Sequence, residues 1–129
     1  MKIDLFDRSR IPLLEKQLDA FAIQNKAIAS NIANIGTQNY KRVDVDFQKE
    51  LSDAISEAND SADLSQKVDQ VDPQIEIDPT YSNVSGANNV DIDHEMAELA
   101  KNQLQFSLSS RLMSATFQQI DKSINGDTQ

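Results

Sequence analysis

The chain has 129 residues, no cysteine, no tryptophan and a formal net charge of −9. That length fits one domain, and the missing cysteines exclude disulfides, thiolate metal sites and thiol nucleophiles. With only 5% aromatic residues the chain is short of the side chains that dominate core energetics, so part of its stability is expected from neighbours.

The charge is unevenly placed: +3 over residues 1–43, −13 over 44–98 and +1 over 99–129. Nucleic-acid binding needs a concentrated basic footprint, which this distribution lacks. Residues 1–10 carry Lys2, Asp4, Asp7, Arg8 and Arg10 with no apolar core behind them, which is not the pattern of a secretory signal. No apolar run is long enough to span a membrane.

From Ile11 to Ile35 apolar residues recur at alternating steps of three and four: Ile11, Leu14, Leu18, Phe21, Asn25, Ile28, Ile32, Ile35. That period predicts a coiled-coil-like helix of about 24 residues. Ser9 is the expected N-cap, Pro12 falls in the first turn, and Gly36 is the expected stop. At the end of the stripe, Asn31 and Asn34 share one face, and Thr37, Tyr40 and Lys41 follow. Amides so placed can bind the backbone of a neighbouring segment, and a tyrosine is an amphipathic anchor. An ordinary helix end explains Gly36, but not so many polar groups together.

Residues 46–57 predict a short helix on Phe47, Leu51 and Ile55. Residues 58–74 are mostly Asp, Ser, Gln and Asn, too poor in apolar anchors to offset their ordering entropy, and are expected to be irregular and mobile. Residues 74–77 alternate like a short strand before Pro79, and Ser85-Gly86 reads as a turn.

The last third repeats the stripe through Ile92, Met96, Leu99, Gln103, Phe106, Ser110, Met113, Phe117, Ile120 and Ile124. A second, weaker row runs through Ala97, Leu104, Leu108 and Ala115. A helix with two apolar faces has more to bury than one partner can cover, which is the strongest argument for assembly. Asn25, Gln103 and Ser110 interrupt the stripes, either as tolerated seam positions or as residues that fix register.

The lone histidine, His94, lies in an acidic run from Asp91 to Glu95. A metal site would need a second histidine, or the glycine and distal Glu of a calcium loop. The run is therefore expected to cap a helix and complement its dipole. No phosphate loop, serine elbow or nucleophile–base pairing stands in the chain, so neither an enzyme nor a cofactor is expected.

Two blocks together carry a family resemblance. Ser30-Asn31-Ile32-Ala33-Asn34, followed by Thr37 and Tyr40-Lys41-Arg42, resembles the N-terminal signature of bacterial flagellar rod, hook and hook-associated axial proteins. Residues 86–103, with Asn88-Asn89-Val90-Asp91 leading into Glu95-Met96-Ala97, are similar to the C-terminal block of the small rod proteins. Within the family the B type of proximal rod subunit is the nearer likeness and the C type the alternative. One departure falls at Gln38-Asn39, where the family commonly has Pro-Gly, which puts the turn after Thr37 in question.

The resemblance implies a mainly α fold. Two long terminal helices pair as an antiparallel, coiled-coil-like hairpin, with a short helix and a largely irregular acidic middle. Residues 1–57, 58–85 and 86–129 would be the N-terminal segment, a mobile acidic linker and the C-terminal helix of one axial-core domain. It further implies a structural subunit that polymerises into a torque-transmitting tube, exported without a cleaved signal. Its partners would be its own copies, other rod proteins and the ring and export-gate components of the basal body. The interface residues would be Leu14, Leu18, Phe21, Asn25, Ile28, Asn31, Ile32, Asn34, Thr37, Tyr40 and Lys41 from the first helix and its turn. Asn88, Asn89, Met96, Leu99, Gln103, Phe106, Met113, Phe117 and Ile120 would join them from the second. The rivals outside the family are a cytoplasmic helical adaptor or export chaperone and, more weakly, an acidic enzyme domain using the Asp91–Glu95 cluster.

Overall fold

The computed structural model describes residues 10–78 and 88–126. The fold is mainly helical, as expected: α1 (Arg10–Ala33), β1 (Val43–Val45), α2 (Gln48–Glu57), α3 (Ser61–Gln70), β2 (Ile75–Ile77) and α4 (Ile92–Asn125). The expected cap at Ser9, the turn at Ser85-Gly86 and the Gly86-Ala87 lead of the second block lie outside the described residues.

Helix α1 has 24 residues and packs on two sides. Ala20 and Ala27, with Leu13 and Ile23, face a core completed by Val45, Phe47, Leu51, Ala54, Val68 and Val71. Leu14, Phe21 and Ile28, buried at seven-residue spacing, make a second set. The chain leaves α1 through a turn at residues 34–39 rather than through a glycine cap. Instead of Gly36, Asn39 takes the left-handed conformation, with φ of 61°. Tyr40 N donates to Thr37 O at 3.3 Å. A positive φ at the third position of a four-residue turn marks type II, where Gly is preferred and Asn is the tolerated substitute. Gln38-Asn39 therefore keeps the turn that Pro-Gly would make.

Strands β1 and β2 pair antiparallel, Val43 with Ile77 and Val45 with Ile75. Helix α2 begins at Gln48, two residues later than expected, because Phe47 is buried at its N-cap. Its inner face is Phe47, Leu51 and Ala54, while Ile55 is exposed.

Residues 61–70, expected to be irregular, form α3. Asp60 caps it by accepting hydrogen bonds from the Ala62 and Asp63 amides. Asp63 ties back to Asn59 through both its backbone and side-chain nitrogens. Val68, fully buried, and Leu64 dock on the core. A good cap and two anchors suffice for a helix of ten residues that has a core to lean on.

Helix α4 has 34 residues. Asp91 caps it by accepting from the Asp93 and His94 amides, and Asp93 and Glu95 fall in its first turn, as the acidic run predicted. It ends at Gly126 in the left-handed conformation.

Candidate functional site

The two sequence blocks meet, in contacts 47 to 64 residues apart in the chain, in one buried polar joint. Asn31, on the last turn of α1, is fully buried and acts as a backbone mimic. Its Nδ2 donates to Val43 O at 2.8 Å and its Oδ1 accepts from Val43 N at 2.9 Å, so one amide pairs both main-chain groups of β1. The same Nδ2 donates to Glu95 at 3.0 Å, and Tyr40 Oη donates to Asn31 Oδ1. The carbonyls freed at the end of α1 are taken by side chains. Asn34 Nδ2 donates to Ser30 O, and Asn88 Nδ2 faces the carbonyls of Asn34, Ile35 and Thr37. Asn89 Oδ1 accepts from Arg42 N.

At the centre is an ion cluster. Arg42 Nε donates to Glu95 Oε1 at 2.6 Å, and its Nη1 reaches Asp78 at 2.8 Å and Asp44 at 3.0 Å. Glu95 is wholly out of solvent and Arg42 nearly so. Burial disfavours the charged guanidinium, but the hydrogen bonds and charges of Glu95 and Asp44 outweigh it and hold the Arg42 pKa above its ordinary value. A buried charge whose partner is removed costs about 3–5 kcal/mol, so these groups hold the joint as a unit.

Beyond the joint, α1 and α4 run in opposite directions. The contacts pass from Asn31–Glu95, through Asn102 Nδ2 donating to Phe21 O at 2.9 Å, to Ser109 Oγ donating to Gln17 Oε1 at 3.4 Å. The residues that α4 buries are Glu95, Asn102 and Ser109, seven apart and all polar. The apolar residues expected in that seam lie beside it or away from it.

The expected interface residues thus fall into three groups. Asn31, Asn88 and Asn89 are buried in the joint, with Asn34 and Tyr40 at its edge. Leu14, Phe21 and Ile28 are buried within the chain, and Leu18, Ile32, Leu99, Met113 and Ile120 are half-buried. Asn25, Thr37, Lys41, Met96, Gln103, Phe106 and Phe117 are exposed. Asn25, Gln103 and Ser110 therefore do not interrupt the seam between α1 and α4, because all three point to solvent. The polar seam residues are Asn31, Glu95, Asn102 and Ser109.

Arg42, Glu95, Asn102 and Ser109 are site residues that the apolar stripes do not mark. A signal existed: a stripe alternating four and three from Ile92 admits either Met96 or Glu95 as its second row. The apolar choice was Met96; the chain packs on the row of Glu95.

What remains outside is strongly apolar. Of twelve exposed large hydrophobic residues among those described, eight are on α4, with Leu104 72%, Leu108 58%, Phe117 53% and Phe106 44% exposed. Leu18, Met113 and Phe117 also line an open groove of about 500 Å³ that Ser110, Ser114 and Asp121 complete. Among the described residues no group of acidic, His or Cys side chains is arranged to hold a metal. No described helix is long and apolar enough to cross a membrane.

No family model matches the chain. Among curated proteins it is similar to the flagellar basal body rod protein FlgB of Bacillus subtilis. The two are 35% identical over 121 aligned positions, which cover 88% of this chain and 91% of that protein. The protein of the same name from Borrelia hermsii is 31% identical over 132 positions, 92% of this chain and 97% of the relative. That from Escherichia coli is 28% identical over 112 positions, 78% and 81%.

Proposed function

The chain belongs to the flagellar basal body rod protein FlgB family, and from that premise we propose that it polymerises through the outward faces of α4 into the proximal rod. It is a component of the basal body rod, and its relatives carry the B-type name rather than that of the C-type alternative. The observation that carries the polymerisation reading is the eight large hydrophobic side chains that α4 leaves exposed. Contiguous apolar surface of this kind marks a site of protein association. Full burial of Phe106 or Phe117 is worth about 1.5–3 kcal/mol each, so a few such contacts suffice to hold a neighbour.

A helical tube arises when the face of one subunit meets a different face of the next and the contact does not close. In that arrangement Met96, Gln103, Phe106 and Phe117 meet a neighbouring copy or another rod protein, with Asn25, Thr37 and Lys41 at the rim. Leu18 and Met113 line the groove in between. The joint at Arg42 and Glu95 holds each subunit stiff, which suits a shaft that carries torque. The subunit's work is packing rather than catalysis. Contacts with ring and export-gate components, and passage through the flagellar export apparatus, complete the reading.

The test is to replace Phe106 by Asp in a flagellated host whose own copy is deleted. Basal bodies purified from that strain are predicted to lack the subunit while its cellular level is unchanged. Normal incorporation would contradict the reading. An adaptor or chaperone would instead stay out of wild-type basal bodies altogether.

A further inference from the structure

The helix α4 turns its polar row, not its apolar one, toward α1, and that choice needs a cause. On α4 the row Glu95, Asn102, Ser109 steps by seven residues; on α1 the row Gln17, Gln24, Asn31 steps by seven in the opposite direction. Asn31 is bonded to Glu95 and Gln17 to Ser109, so register sets Gln24 opposite Asn102 in the middle layer. Asn102 is itself bonded to the Phe21 carbonyl. Its Oδ1 is the buried side-chain polar atom among the described residues with no hydrogen-bond partner.

An apolar seam alone would not select this arrangement. Leu14, Phe21 and Ile28 repeat every seven residues, and so do Leu99, Phe106, Met113 and Ile120. A seven-residue repeat on both helices admits more than one pairing, face to face or slipped by a heptad. Phe106 and Met113 lie about 60° and 40° around α4 from Ser109 at 100° per residue. A roll of about 60° would therefore bring Phe106 inward and carry Ser109 off the seam. Buried polar groups are costly unless bonded, so a changed register or rotation would part Glu95 from Asn31, the Asn102 amide from the Phe21 carbonyl and Ser109 from Gln17.

We propose that these three polar layers are a facing selector. They set the register and rotation of α4 on α1, so that Leu104, Phe106, Leu108 and Phe117 stay outside for a neighbouring subunit. The selector rests on the reading that those residues meet neighbours, but its test does not. Asn102 and Gln17 act through the orientation of α4 and are positioning residues.

Adjacent serines report the rotation. Ser109 is 6% exposed and Ser110 is exposed, and the chain has no native thiol to interfere. S109C and S110C are made singly in the wild-type chain and in Q17A/N102A, which leaves the Arg42–Glu95 joint intact, and maleimide labelling rates are compared. In the wild-type chain the thiol of S110C is expected to react at least tenfold faster than that of S109C. In Q17A/N102A the order should reverse while circular dichroism shows the same helix content. An unchanged ratio would overturn the proposal. So would equally fast labelling at both positions, since the layers would then merely hold the fold. Because labelling is read on the isolated chain, failure here leaves the rod reading standing, and the Phe106→Asp strain tests that reading separately.

Discussion

The joint at the start of α4 and the distal half of the same helix are opposite in chemistry and in placement. Around Glu95 the chain buries an arginine, a glutamate and three asparagines, each with named partners. Around Phe106 to Ile124 it leaves leucines, phenylalanines and an isoleucine in solvent. An ordinary monomer does the reverse. The joint and the seam supply orientation, the core around Val68 and Leu51 supplies apolar burial, and on the proposed reading the apolar surface of α4 is kept for other chains.

Glu95→Ala should give the largest loss, about 3–5 kcal/mol, because it leaves Arg42 charged and buried beside fewer partners. Denaturant unfolding with an unchanged slope would measure it. A loss below about 1 kcal/mol would mean that the joint is not the anchor claimed. Asn31→Ala should follow at about 2–3 kcal/mol, since it strands both main-chain groups of Val43.

On the other side of the comparison, Phe117→Asp should change the stability of the isolated chain by no more than about 0.5 kcal/mol, as surface substitutions do, while abolishing assembly. A large drop in melting temperature would show that Phe117 serves the monomer after all. Asn39→Gly should stabilise by less than about 1 kcal/mol by relieving a left-handed asparagine. The smallest effect concerns Asp63, whose pKa is held below its ordinary value chiefly by the hydrogen bond from the Asn59 amide. A depressed carboxyl contributes stability above its unfolded pKa and loses it as pH falls through the folded one. Protection of the Asn59 amide, its exchange rate relative to the intrinsic rate at each pH, should therefore fall on acidification, and D63N should remove that dependence.

Much of this was legible in the sequence. The stripes gave α1 to within two residues of each end, and the acidic run at Asp91 gave the cap of α4. The two family blocks were visible as polar clusters, but not as the two halves of one joint, because Asn31 and Asn88 are brought together only by the fold. Helix α3 was missed since its periodic signal is two residues, Leu64 and Val68, and its stability comes from the core they touch. The seam of α4 was misassigned for a more general reason. Periodicity ranks faces by apolarity, and here hydrogen bonds to Arg42, Asn31 and the Phe21 carbonyl outrank it.

Whether the exposed apolar residues of α4 are reserved for neighbours is decided by a thiol footprint on the assembled rod. L104C and S61C, each the sole thiol of the chain, would be labelled in the free subunit and in purified basal bodies. Both positions are exposed in the subunit. Assembly is predicted to slow labelling of L104C at least tenfold and to leave S61C nearly unchanged. Equal labelling of L104C in the free and assembled states would contradict the claim.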